Sequence, residues 1–97
     1  MKTRFSPRAR TDLRRIASRI AIDNPKAALR WVHRLEERAR VAGRSPGLGR
    51  KVPEIDREDI REAIVGNYRI VYIVQAKTVD ILTIFEGHRM LPDLDVE

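Results

Sequence analysis

Ninety-seven residues match the size of one folded unit and leave no room for a second hydrophobic core, so a single domain over residues 1–97 is expected. A hydrophobic share of 42% includes no apolar run near the ~20 residues of a bilayer-crossing helix, and the lack of cysteine excludes disulfides and thiolate chemistry. The 16 arginines and 4 lysines outweigh 14 acids for a net +6, but unevenly: residues 1–51 carry +11 and residues 52–97 carry −5.

In chain order, Lys2 to Phe5 alternates with Thr3 and Phe5 on one side, which predicts a short edge strand. Ser6-Pro7 then has the form of a helix N-cap with proline at the first helical position, and Ala9, Leu13, Ile16, Ala17, Ile20 and Ala21 follow at helical spacing. Asn24-Pro25 repeats that start signal. Ala28, Trp31, Val32, Leu35, Ala39 and Ala42 trace the next apolar face, and Gly43 reads as its stop. Two helices joined by so short a break fold back into a hairpin, with Trp31 in its packing.

Arg44 to Pro53 holds Pro46, Gly47, Gly49 and Pro53 and reads as an irregular loop. Beyond it, Ile60–Val65, Tyr68–Gln75 and Thr78–Glu86 are rich in Ile, Val, Tyr and Phe, separated by Gly66-Asn67 and Ala76-Lys77. They predict a three-stranded antiparallel meander. The acidic tail Leu91 to Glu97 reads as frayed. The fold class is therefore α+β in the order β-α-α-β-β-β, with a helical hairpin on one face of a small antiparallel sheet and the other face free.

The charge balance suits a polyanion or an acidic polypeptide as partner, although arginine richness also follows from GC-rich coding. The first residues run into Ser6-Pro7-Arg8 and not into an apolar stretch of signal-peptide length, so a cytoplasmic location is expected. Neither a cofactor fingerprint nor a metal-ligand spacing is present, so no cofactor or metal is expected.

This element order, with Tyr68-Arg69-Ile70-Val71-Tyr72 on the middle strand of the meander, resembles the RelE/ParE superfamily of toxins from type II toxin-antitoxin systems. Asn24 to Ala28 is similar to the family's second-helix start, Pro46 to Arg50 to its Pro-x-x-Gly-Arg loop, and Ile81 to Phe85 with Gly87-His88-Arg89 to its last strand. The resemblance implies a growth-inhibiting toxin neutralised by a cognate antitoxin in a hetero-oligomer, with no membrane involvement.

Two targets follow from that resemblance. RelE-like members are ribosome-dependent mRNA endoribonucleases, needing cations for the charged phosphorane and a group to move the 2′-hydroxyl proton. Arg69 and Arg89 stand at family arginine positions, His88 could act as acid or base, and Arg61 could join them on the open sheet face beside Ala63 and Val65. Glu86, Glu54 or Glu62 could supply a carboxylate. A structural role is the competing expectation: His88 as an exposed histidine at a strand end, Arg69 and Arg89 as ion-pair partners of Glu62, Glu86 or Asp80. ParE-like members are inhibitors of DNA gyrase that act by binding and need no catalytic constellation.

Met90 to Asp95 lacks the aromatic or basic residue that RNA-cleaving members carry after the last strand, and this ranks the gyrase reading ahead of the ribonuclease reading. A basic nucleic-acid-binding module ranks third, since no helix-turn-helix spacing, zinc ligands or aromatic platform appears. Convergence of Arg61, Arg69, His88 and Arg89 in one concave patch would favour the ribonuclease, and scatter would count against it.

Overall fold

The computed structural model describes residues 1–96. In order, the elements are β1 (Lys2–Phe5), α1 (Pro7–Asp23), α2 (Pro25–Arg44), a 3-10 turn (Pro46–Leu48), β2 (Arg50–Lys51), β3 (Ile60–Val65), β4 (Tyr68–Val74) and β5 (Thr78–Glu86). The strands form one sheet in the order β1-β5-β4-β3-β2. Its pairings are antiparallel except at one edge, where β1 runs parallel to β5 with Lys2 opposite Thr78 and Phe5 opposite Ile81.

Both helices start as their sequences dictate. The Ser6 side-chain oxygen accepts from the Ala9 N–H at 3.0 Å, and the Asn24 side chain accepts from the Ala27 N–H at 3.1 Å. Asn24 alone separates the helices, so they pack side by side on one face of the sheet. Ala9, Leu13 and Ile16 of α1 and Leu35, Ala39 and Ala42 of α2 are buried against Ala63, Val65, Tyr68, Ile70, Tyr72, Val79, Ile81 and Ile84. Trp31 packs against this core, its ring meeting that of Tyr68 edge-on at 5.3 Å. It also covers Gly66, whose φ of +57° makes the β3–β4 turn, so that a Cβ there would strike the indole.

Four expectations need correction. Gly43 does not end α2, which runs on to Arg44 and is capped by Ser45. It is buried inside the last turn because a Cβ there would overlap the Thr3 hydroxyl of β1, so close approach of helix and strand is what demands glycine. The segment Arg44 to Pro53 is not irregular throughout: it holds the 3-10 turn and β2, whose Arg50 and Lys51 pair with Glu62 and Arg61 of β3.

The second sheet face is not free either. Val52, Ile60 and Val71 are fully buried there, covered by Ile55 from the loop and by Leu91, Leu94 and Val96 from the tail. Accordingly the tail is not frayed over residues 91–96. It packs back on the sheet, and Glu97 lies outside the described residues.

A bulge in β5 aligns the layers. Tyr72 pairs with Ile81 while the preceding Val71 pairs with Thr83, leaving Leu82 as the extra residue. Around it the start of α1 holds β5: the Ser6 hydroxyl of the helix cap donates to the Leu82 carbonyl at 3.0 Å, and the Asp12 carboxylate accepts from the Thr83 hydroxyl at 2.6 Å and the Ile84 N–H at 3.0 Å.

Candidate functional site

The middle-strand arginine is enclosed by carboxylates. Alternation along β4 puts Tyr68, Ile70 and Tyr72 under the helices and Arg69 on the opposite face beside Val71. Its Nε donates to Glu62 Oε1 at 2.5 Å, and its two terminal nitrogens donate to the two oxygens of Glu54 at 2.8 Å each. Glu62, whose side chain is 0% exposed, takes its second bond from Arg50 Nε at 2.7 Å. The guanidinium also lies over the Phe85 ring, 5.0 Å from its centroid. Two arginines and two carboxylates thus cancel, as burial requires.

The network shifts the ionisation of its members. The bidentate bond from Arg69 pulls the Glu54 carboxyl down to about 2, and the same bond raises the already high pKa of Arg69. A guanidinium that already donates to two carboxylates has little positive potential left for a phosphate.

Of the remaining sequence candidates, His88 borders this network, whereas, among the described residues, Arg89 and Arg61 line no hollow with it. His88 is exposed just past β5, with Nε2 3.3 Å from Glu86. Glu86 is shared with Arg19 of α1, which also donates to the Tyr68 hydroxyl at 3.3 Å. Arg89 is exposed and lines a hollow of 290 Å³ between α1 and β5 with Asp12, Arg15, Arg19 and Glu86. His88 instead shares a separate 300 Å³ hollow with Arg50 and Arg69 at the β3–β4 turn.

Arg61 sits three pairs along β3 from Arg69, opposite Tyr72, and donates to the Gly49 carbonyl at 3.1 Å and to Glu58 at 3.0 Å. Its placement beside Ala63 and Val65 is as read from the sequence, but those residues belong to the helix-covered core. The open-face position expected for Arg61 is therefore a correction. The four candidates form no common concave patch.

Sequence reasoning passed over Asp12 and Arg19, which tie α1 to β5 and, through the Tyr68 hydroxyl, to β4. The signal available for Asp12 was its position as a lone acid among five arginines before the last residue of α1.

With this geometry in place, comparison with known proteins decides the family. A family model described as the ParE toxin of the type II toxin-antitoxin system parDE matches residues 3–91. The chain belongs to the ParE toxin family. Among solved structures, a chain described as the chromosomal ParDE toxin-antitoxin system from P. aeruginosa is similar in fold, with a TM-score of 0.74 at 20% identity, covering 89% of this chain and 95% of that one. No curated protein sequence matches. The match to the ParE family spans β1 through the end of the sheet and includes Arg69, His88 and Arg89. The chain is accordingly a type II toxin of the α+β fold expected from its sequence.

Proposed function

We propose that this ParE-family chain is a single-domain cytoplasmic toxin that arrests growth by binding DNA gyrase, without chemistry of its own, and that a cognate antitoxin neutralises it in a hetero-oligomer. The observation that carries the reading is the enclosure of Arg69 by Glu54 and Glu62. A ribonuclease acting through this strand would need that cation open to a phosphate, with an acid or base beside it. The +11 charge of the first 51 residues favours an antitoxin whose binding segment is acidic.

Expression of the chain alone should stop growth, and co-expression of the adjacent small open reading frame should restore it. Normal growth at high soluble expression would refute the toxin role in this copy. Purified toxin with gyrase and plasmid DNA should accumulate stalled cleavage complexes. Codon-positioned cuts in cellular transcripts, mapped by primer extension and joined to unimpaired gyrase, would refute the gyrase target. The ribonuclease reading retains one supporting observation, the hollow that Arg69 and His88 share. It requires His88→Ala and Arg89→Ala to abolish toxicity with folding intact, whereas the gyrase reading requires both variants to arrest growth.

A further inference from the structure

The outer face of α1 is a cationic surface that, Arg19 apart, the packing of the fold does not use. Ala9, Leu13 and Ile16 turn one side of the helix to the core, and helical spacing places Thr11, Arg14, Arg15, Ser18 and Ile22 on the other. Thr11, Arg14, Arg15, Ser18, Arg19 and Ile22 line a shallow groove of 440 Å³. Through Arg15 and Arg19 the groove runs into the 290 Å³ hollow that holds Arg89. Of the acids near it, Asp12 is occupied by β5 and Glu86 by Arg19 and His88, while Glu36 of α2 shares a neighbouring hollow with Arg10 and Arg14 without an ion pair to either. Among the described residues, Arg14, Arg15 and Arg89 meet no carboxylate.

We propose that this face binds the phosphate backbone of double-stranded DNA, independently of whether gyrase is the target. Guanidinium and hydroxyl donors alternating along a helix are what phosphate oxygens take, and such contacts carry no base information. An acidic polypeptide would need apolar anchors as well as cations. The outer face of α1 offers Ile22 at its far end, 82% exposed, as its one large apolar side chain. A single apolar side chain is not the clustered seat a polypeptide needs, so charge complementarity favours the nucleic acid.

The test is fluorescence anisotropy of a labelled random-sequence duplex with the purified full chain between 50 and 200 mM salt. Three phosphate contacts give a log–log slope of about −2.7, an affinity loss of about 40-fold over that range. Arg14→Gln with Arg15→Gln should reduce the slope to about −0.9 and the loss to about 4-fold, with an unchanged thermal midpoint. Lys26→Gln with Arg30→Gln on α2 removes the same charge and should leave the slope as it was. Arg89→Gln, outside the helices, should lower the slope by about 0.9 and serves if the α1 pair unfolds. A parent slope shallower than −1, or equal effects of the α1 and α2 pairs, overturns the proposal. So does tighter binding of poly-L-glutamate than of the duplex at the same salt, which would make the occupant an acidic polypeptide.

Discussion

Replacing Arg69 by methionine separates a structural arginine from a catalytic one. Methionine keeps an unbranched apolar stem over Phe85 and removes the charge. It leaves the Glu62 carboxylate, 0% exposed, with Arg50 as its sole cation, and it strips Glu54 of its bidentate partner. Breaking a buried pair by removing one member costs about 3–5 kcal/mol. The low end applies because Arg50 still donates to Glu62. The Glu54 link adds under about 1 kcal/mol, since that carboxylate is 44% exposed and water screens it.

A loss of about 3 kcal/mol corresponds to a fall of about 15 °C in midpoint for a domain of this length. Urea and thermal unfolding followed by circular dichroism at pH 7 read it directly. The double variant Glu62→Leu with Arg69→Met no longer strands a buried charge and should recover about 2 kcal/mol of the loss. A single variant within about 1 kcal/mol of the parent, or a double variant no better than the single, would refute the argument. If Arg69→Met were fully stable yet harmless to cells, the arginine would belong to chemistry and the gyrase reading would lose its main support.

Other consequences follow from the same geometry. Asp12→Ala leaves the Thr83 hydroxyl and the Ile84 N–H without an acceptor, so a loss of about 2 kcal/mol is expected, with faster amide exchange at Ile84; unchanged protection there would contradict the role given to Asp12. Acid should weaken the fold through Glu54. Its carboxyl is held at about 2 in the folded chain against an ordinary 4.5, so its contribution is complete above 4.5 and is lost as the pH falls from there towards 2. With screening the effect is about 1 kcal/mol, read as a urea midpoint that drops between pH 6 and pH 3 in the parent and not in Arg69→Met. Leu91→Ser with Leu94→Ser should uncover Val52, Ile60 and Val71 and raise binding of an apolar dye while the helical signal persists; no added dye binding would mean that the tail does not seal that face.

The parts of this fold that were legible in the sequence are those specified locally. Ser6-Pro7 and Asn24-Pro25 carry their helix starts within a few residues, and the β3–β4 turn is announced by Gly66-Asn67. What escaped depends on distant partners. Gly43 looks like a helix stop until Thr3, forty positions earlier, is seen to press on it. Leu91, Leu94 and Val96 alternate with acids in a segment too short to show a period, and their burial comes from β3, β4 and β5. Arg61 was rightly grouped with Ala63 and Val65, but strand alternation divides two faces without saying which one the helices cover. Glu62 was readable as a partner for Arg69 because it lies one strand away. The bidentate grip of Glu54 comes from a loop whose path no local pattern specifies.

Whether an arginine in a shared motif can serve chemistry is decided by the carboxylates that the rest of the chain places around it. In the acidic second half, Arg57 meets Asp59, Arg61 meets Glu58, and Arg69 meets Glu54 and Glu62. These cations hold loop and strands together, and a phosphate could reach them only by displacing a carboxylate already in hydrogen-bond contact. Three arginines of α1 stand in the opposite condition: Arg10, Arg14 and Arg15 are exposed and, among the described residues, unmatched by acids. The field that a polyanion or an acidic partner would feel therefore issues from the helical hairpin and not from the motif strand. If α1 is the binding face proposed above, binding and the fold held by the Arg69 network rest on different residues. Charge changes on α1 should alter partner affinity at constant stability, and changes around Arg69 should do the reverse.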